Sequence, residues 1–244
     1  MKTDTVAARG SGAVRRVLEA ELRAARARGV DQPLVVDVGG GSGGWAVPFA
    51  SAGCLVTVVE PNPNALATLK RRAEEEGVSS RITVVADDSD ALARHVSPGS
   101  ADLVLAHGLL EVVDDPAIVV AALAEAVAPG GAVSVLVTNR FATALHRALA
   151  GRLTEARQVL ESAAGVLPGG RDTVLRRFDV AGLEALLTGA GLTDVTIQGD
   201  GVVSDAIAGG SREEELAEFE LLAASTPPLR DVATRLHALA RRAS

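Results

Sequence analysis

The residues in this chain with the clearest capacity for chemistry are an acid followed by a run of glycines, with further acids spaced behind it. Asp37 precedes Gly39, Gly40, Gly41, Gly43 and Gly44. Glycines permit positive φ and let ligand atoms approach the backbone closely, and a helix that follows them offers free N–H groups. Gly39, Gly41 and Gly44 satisfy the dinucleotide pattern G-x-G-x-x-G, which is weak by itself. A diphosphate prefers helix-terminal donors with no anion nearby, so Asp37 argues for a ligand that carries positive charge. No Lys follows the glycines, which excludes a nucleoside-triphosphate P-loop. Glu60-Pro61 closes the next apolar run and Asp87 the one after it. An acid at the Glu60 position can accept both hydroxyls of a ribose.

These residues need strands to present them. Leu34 to Val38, Leu55 to Val59, Ile82 to Val85, Asp102 to Ala106 and Ala132 to Val137 are short apolar runs, the pattern of strands buried on both faces. Between them lie helical stretches: residues 12–28, with Val14, Val17, Leu18 and Leu22 on one face, a segment ending near Gly53, residues 62–76, and residues 116–128 after Asp115-Pro116. Alternating strands and helices predict a parallel sheet covered on both faces, with right-handed crossovers. Such a sheet binds ligands at the carboxyl ends of its strands, where Asp37, Glu60 and Asp87 fall. Pro129-Gly130-Gly131 reads as a turn before the fifth strand. Residues 139–165 read as Arg-rich helix, 166–173 as a loop, 178–190 as helix, 192–197 as a strand and 211–224 as helix before Pro227-Pro228. The tail from Arg235 to Arg242 favours helix by its Ala, Leu and Arg content, whereas its position suits a last strand. The chain reads as one domain over residues 1–244: an N-terminal helix (12–28), a ligand-binding core (30–138), a helical cap (139–177) and a C-terminal part (178–244).

Composition narrows the function classes. The chain has 244 residues, 48% of them hydrophobic, enough for a full core. No apolar run approaches a membrane span, and residues 1–12 lack a signal-peptide segment. The single cysteine, Cys54, excludes a disulfide framework within the chain and makes a cytoplasmic location the expectation. No Cys/His cluster has metal-ligand spacing, so no metal is expected. The net charge of −7 gives no global attraction to nucleic acid, and one Trp, four Phe and no Tyr leave little to stack bases on. Residues 140–177 nevertheless carry a local charge of +4 against −11 elsewhere. That excess reads either as a solvated helix surface or as a site for an anionic substrate.

Asp37, Gly39, Gly41 and Gly43 also satisfy D-x-G-x-G-x-G, which resembles motif I of the class I S-adenosylmethionine-dependent methyltransferases. The ammonium and sulfonium of S-adenosylmethionine suit an acid at Asp37. Asp87, the segment Leu110 to Pro116, and Pro129-Gly130-Gly131 resemble later motifs of that family in order. The chain further resembles, over about residues 10–242, the bacterial tRNA 5-carboxymethoxyuridine methyltransferase group. Gly12-Ala13-Val14-Arg15, Val36 to Gly41, Asp88-Ser89, Ala106 to Glu111 and Asn139 to Gly151 carry that resemblance. Two departures stand out: Gly201 replaces an Arg, and Leu222-Ala223 replace an Arg-Tyr pair.

The resemblance implies a Rossmann-like, seven-stranded, mostly parallel α/β sheet with helices on both faces, an N-terminal helix and an inserted helical cap. It implies S-adenosyl-L-methionine as cofactor and S-adenosyl-L-homocysteine as product. Arg15, Asp37, Gly39, Gly40, Gly41, Gly43, Glu60, Pro61, Asp87, Asp88, Ser89 and His107 are the expected cofactor residues, with Asp87 on the adenine amino group, Arg15 on the carboxylate and His107 in contact with the cofactor. Asn139, Arg140, His146, Arg147 and Arg177 are expected on the substrate side. His107 and His146 are the candidate bases, whereas His95 reads as a surface residue and His237 as structural. A carboxylate nucleophile is already ionised at neutral pH and needs no base, and an arginine could clamp it through paired hydrogen bonds. The expected acceptor is therefore a carboxylate or other anion, on a modified tRNA uridine or a small acid. A non-catalytic S-adenosylmethionine-binding protein and a nicotinamide-linked oxidoreductase are the alternatives, and oligomeric state stays open.

Overall fold

The computed structural model describes residues 12–167, 172, 174–203 and 213–243. In chain order the elements are α1 (Gly12–Ala27), β1 (Leu34–Val38), α2 (Ala46–Ser51), β2 (Leu55–Val59), α3 (Pro63–Glu75), β3 (Ile82–Val85), α4 (Leu92–His95), β4 (Ala101–His107), α5 (Pro116–Ala126), β5 (Val127–Thr138), α6 (Arg140–Leu149), α7 (Leu153–Glu161), α8 (Val180–Gly189), β6 (Leu192–Asp200), α9 (Glu213–Ala224) and β7 (Arg235–Arg242). The strands form one sheet in the order β3-β2-β1-β4-β5-β7-β6. The first five pair in parallel, and β7 runs antiparallel to both β5 and β6. This is the expected seven-stranded, mostly parallel sheet.

Alternation along each strand divides the core in two. Val36, Val38, Val104, Ala106, Val133 and Val135 pack with α5 and α8 on one face. Val35, Val56, Leu103, Leu105 and Leu136 pack with α1, α2 and α3 on the other. Successive strand residues point to opposite faces, so Asp37, two residues beyond Val35, belongs to the α1–α3 face. His107, Ser134 and His237 share that face with their alternating neighbours Leu105, Leu136 and Leu239. Helix starts are set by residues the chain places there. Asn62 caps α3 by accepting from the backbone N–H of Asn64, ahead of Pro63, and Asp115 caps α5 by accepting from that of Ala117, ahead of Pro116.

One ambiguous segment is resolved and one segment differs from the reading of the sequence. The tail 235–242 is the last strand, β7, inserted between β5 and β6, with Leu236, His237, Ala238, Leu239 and Ala240 buried. Ladder bonds on both sides and burial on both faces override the helix propensity of Ala, Leu and Arg, which is a weak prior. The Pro129-Gly130-Gly131 turn lies within β5 rather than before it. The β4–β5 register runs from Ala101–Val127 to Leu103–Ala132, so the extra residues bulge out of the ladder. Gly131 is required there, because a Cβ would sit 2.9 Å from the Ala128 carbonyl and 3.0 Å from that of Asp102.

The chain leaves the sheet at Asn139 and returns at Phe178. These residues bridge in parallel, Arg140 N–H donates to the Phe178 carbonyl (2.8 Å), and Phe178 N–H donates to that of Thr138 (3.0 Å). The Arg-rich stretch between them is helical as expected and forms two helices, α6 and α7. Most of the loop expected at 166–173 lies outside the described residues.

Candidate functional site

The glycine turn lies at the carboxyl end of β1, between β2 and β4. Gly39 N–H donates to the Val59 carbonyl (2.8 Å), which ties the turn to β2. Glu60 accepts from the backbone N–H groups of Gly41 (3.0 Å) and Asn62 (2.8 Å) with its two oxygens. Side chains are excluded at two glycines in particular. A Cβ on Gly40 would lie 2.6 Å from the Asp37 carboxylate, and one on Gly43, where φ is 78°, would lie 2.2 Å from Leu69.

Two cavities meet at Gly39. One, of about 370 Å³, is lined by Asp37, Gly40, Gly41, Trp45, Asn62 and His107 among others. The other, of about 440 Å³, includes Glu60, Pro61, Asp88, Ser89, Asp90 and Leu109 in its wall. Asp37 is buried, and burial followed by the charge of Glu60 pushes its pKa up to about 7. A carboxyl in that state is strained as an anion and is relieved by a bound cation. His107 is buried on the same side, and burial, with His237 adding, holds it well below the usual imidazole pKa. It stays neutral, with Nε2 2.8 Å from Ser134 Oγ.

An acid for a cation, an acid at the end of the next strand for a ribose, and a polar wall beyond it suit an adenosyl ligand with an amino-acid end. Residues 35–131 match the methyltransferase domain family. The chain carries a class I methyltransferase domain. It is 32% identical over 117 residues to the tRNA 5-carboxymethoxyuridine methyltransferase of Escherichia coli strain K12, covering 48% of this chain and 44% of that protein. It is 33% identical over 165 residues to the ubiquinone biosynthesis O-methyltransferase of Burkholderia thailandensis, covering 68% of this chain and 66% of that protein. The chain thus spans less than half the length of the first relative. Among solved structures, phosphoethanolamine N-methyltransferase 2 of Haemonchus contortus, determined with S-adenosyl-L-methionine, superposes with a TM-score of 0.58 at 18% identity, over 93% of this chain and 53% of that one. A SAM-dependent methyltransferase from Methanosarcina mazei superposes with a TM-score of 0.59 at 15% identity, over 88% and 94%. The methyl donor of this family is S-adenosyl-L-methionine.

Within the methyltransferase domain the expected cofactor residues divide. Asp37, Gly39, Gly40, Gly41, Glu60, Pro61, Asp88, Ser89 and His107 line the two cavities. Gly43 lies behind the turn against Leu69. Asp87 is not among the lining residues. Its carboxylate is turned to His95 (2.9 Å), whose bond, with that of the Asp88 N–H, holds the Asp87 pKa below the usual range. His95 is thus a hydrogen-bond partner of Asp87 at the end of α4, while Asp88 and Asp90 line the adenine-side cavity together with Glu60, Asp114 and Asp115. Arg15 lies with its Cζ 5.8 Å from the Trp45 ring centroid and lines a neighbouring cleft. It reaches the site through Trp45 and does not line the glycine-turn cavity.

The expected substrate residues are mostly engaged in holding the cap. Asn139 is buried and caps α6, accepting from Phe141 N–H (2.9 Å) and donating to the carbonyls of Asp231 (2.9 Å) and Ala233 (2.8 Å). It is a structural residue, because each end of its amide is satisfied within the protein. Arg140 pairs with Asp179 (2.9 Å) and Arg147 with Glu155 (2.5 Å). Arg177 grips Asp172 with two hydrogen bonds, 2.6 and 2.8 Å. That grip, partly opposed by burial, brings the Asp172 pKa down to about 2. Three candidate anion clamps therefore already hold acids of the chain itself. His146 is exposed on α6.

Three site features escaped the sequence reading. Trp45 lines the glycine-turn cavity with its buried indole N–H unpartnered. It directly follows Gly44, and an aromatic there could have been read as part of the turn. Ser134 bonds both His107 and His237 at 2.8 Å, a contact across 103 residues of sequence that no local pattern signals. Arg176 donates to the carbonyls of Leu110 (3.2 Å), Val113 and Asp114 (2.8 Å), and so fastens the cap to the loop that walls the adenine-side cavity. Among the described residues there is no cluster of His, Cys, Asp or Glu fit to hold a metal ion, and no helix long and apolar enough to cross a membrane.

Proposed function

We propose that this protein transfers the methyl group of S-adenosyl-L-methionine to a small-molecule acceptor. The observation that carries the reading is the pairing of buried Asp37 with the adjoining ribose-side acid Glu60 around a glycine turn that leaves room for a ligand. Asp37 would take the ammonium of the methionyl part, Glu60 the ribose hydroxyls, and Asp88, Ser89 and Leu109 the adenine. The transfer is a displacement: the acceptor's lone pair forms the new bond to carbon, the carbon–sulfur bond breaks, and sulfur keeps the electron pair in S-adenosyl-L-homocysteine. The chain's own contribution is alignment and exclusion of water. The imidazole at the cavity, His107, already bonds Ser134 Oγ through Nε2, which favours a nucleophile that is ionised or neutral with a free lone pair at working pH.

A small acceptor is favoured over tRNA because Arg140, Arg147 and Arg177 are paired with acids and are not an open array for phosphates. Helix α6 also presents Phe141, Leu145 and Leu149 to solvent, with Leu149 78% exposed, a surface suited to an acceptor with an apolar body. The identity with the tRNA 5-carboxymethoxyuridine methyltransferase keeps a modified uridine as the second reading. Methyl transfer from radiolabelled S-adenosyl-L-methionine is expected to be detected with small aromatic or carboxylic acids and not with tRNA prepared from a strain lacking the gene. Labelling of that tRNA would reverse the choice of acceptor. Calorimetry showing no S-adenosyl-L-homocysteine binding would remove the whole reading.

A further inference from the structure

One face of the sheet carries a row of polar side chains that alignment and water exclusion leave unexplained. Gln198 on β6, His237 on β7, Ser134 on β5 and His107 on β4 form a continuous hydrogen-bonded chain across four adjacent strands. Gln198 turns its amide nitrogen to His237 Nδ1 (3.1 Å), His237 Nε2 meets Ser134 Oγ (2.8 Å), and Ser134 Oγ meets His107 Nε2 (2.8 Å). An amide nitrogen only donates, and a neutral imidazole has one donor and one acceptor. His237 Nδ1 must therefore accept. Burial pushes the His237 pKa down to about 4, against the opposing charge of Asp200, so its proton sits on Nε2 and goes to Ser134. The Ser134 hydroxyl then donates to His107 Nε2, and the one remaining proton of His107 is on Nδ1.

That nitrogen is buried and has no partner among the described residues. Its ring lines the same cavity as Asp37 and is held edge-on by Trp45 (5.8 Å between centroids) and His237 (5.9 Å). An unpaired buried donor costs free energy unless a ligand supplies an acceptor. We propose that Gln198, His237 and Ser134 are positioning residues that fix His107 as a neutral Nδ1–H donor to an acceptor atom of the bound ligand. Resting on the S-adenosyl-L-methionine reading, that atom is a carboxylate oxygen of the methionyl part, whose ammonium lies at Asp37. The pair reads both ends of an amino acid with one anion and one neutral donor, and the far end of the relay, Gln198 on β6, is three strands away.

The test is ring-nitrogen NMR on the 15N-histidine-labelled protein, with calorimetry using S-adenosyl-L-homocysteine as the probe. The wild type is expected to show His107 in the Nδ1–H form and His237 in the Nε2–H form. Gln198→Glu places an acceptor where a donor stood and is expected to reverse the chain, moving the His107 proton to Nε2. Affinity for the probe should then fall about 10- to 100-fold, the loss of a hydrogen bond to a charged group. Ser134→Ala uncouples the two histidines and should give a mixed His107 tautomer with a similar loss, and the wild-type spectrum needs no variant to fold. His107 in the Nε2–H form in the wild type overturns the proposal, as does an unchanged affinity once Gln198→Glu has reversed the tautomer. If the wild type binds no probe, the methyl-donor reading fails, while the two tautomers still decide the relay.

Discussion

Glu60 Oε2 lies 3.0 Å from the backbone nitrogen of Gly41, so the end of the second strand holds the turn that follows the first. Its other oxygen accepts from Asn62 N–H at 2.8 Å. Glu60→Gln keeps one acceptor and leaves one N–H without a strong partner. The expected cost is about 1–2 kcal/mol of stability, and S-adenosyl-L-homocysteine binding weakened at least about tenfold. Because Glu60 raises the Asp37 pKa, the same variant lowers it, which NMR titration of the Asp37 carboxyl carbon reads directly.

Asp37 itself sets stability against binding. Its folded pKa, about 7, lies above the ordinary carboxyl value of 3.8. The raised value makes its contribution fully present below the unfolded pKa and lost as pH rises through the folded pKa. Ligand-free protein should therefore lose thermal stability from Asp37 as pH rises from about 4 to about 7. Asp37→Asn should flatten that part of the profile and stabilise the free protein at pH 8 by a few kcal/mol, on the order of one to four. Affinity for S-adenosyl-L-methionine should fall in the same variant, since the ammonium loses its counter-charge. Melting curves across pH, with and without ligand, check both signs. A destabilised variant that binds normally would refute this account of Asp37.

Gly40→Ala puts a methyl group about where the Asp37 carboxylate lies, 2.6 Å from its nearest oxygen. Gly43→Ala drives one into Leu69, which is fully buried. The two substitutions should separate. Gly43→Ala should lower the melting temperature sharply, by overpacking of about 1–3 kcal/mol with added backbone strain. Gly40→Ala should chiefly weaken ligand binding by displacing Asp37. Parallel melts and calorimetry distinguish them.

The Arg177–Asp172 pair should behave as structural. Arg177→Met leaves Asp172 buried without its partner and should cost about 3 kcal/mol. Asp172, with a pKa of about 2, contributes stability above the ordinary carboxyl value that is lost as pH falls toward its folded pKa. The variant should lose that acid-side slope between about pH 4 and 2, measured as melting temperature against pH. If Arg177 were instead a substrate clamp, KM for the acceptor would rise with little change in stability.

Trp45 is the only tryptophan of the chain, which has no tyrosine, and it lines the glycine-turn cavity. Its fluorescence is therefore a direct report on that cavity. Adding S-adenosyl-L-homocysteine should change the emission and saturate, with a midpoint matching calorimetry. Arg15→Ala, which removes the cation over the ring, should shift the free emission and weaken binding by less than about tenfold, given the modest strength of an exposed cation–π contact.

What the sequence determined was the periodic part of the molecule and the residues tied to strand ends. β1, β2 and β3 run where their apolar stretches run, and the central β1, buried along nearly its whole length, shows why: a strand covered on both faces has to be apolar along its length. Asp37 and Glu60 could be located as a pair because a parallel sheet sets the ends of adjacent strands side by side. Tertiary structure alone decided how side chains were spent. Asp87, Asn139, Arg140, Arg147 and Arg177 have the chemistry of ligand contacts, yet each meets a partner brought up by folding, and a residue type does not announce its partner. The last strand was ambiguous for a related reason: Ala, Leu and Arg carry helix propensity, but two open ladder edges between β5 and β6 outweigh it. The row from Gln198 to His107 joins bonded residues up to 103 positions apart. Its direction is fixed by hydrogen-bond chemistry, and its existence only by the order of the strands.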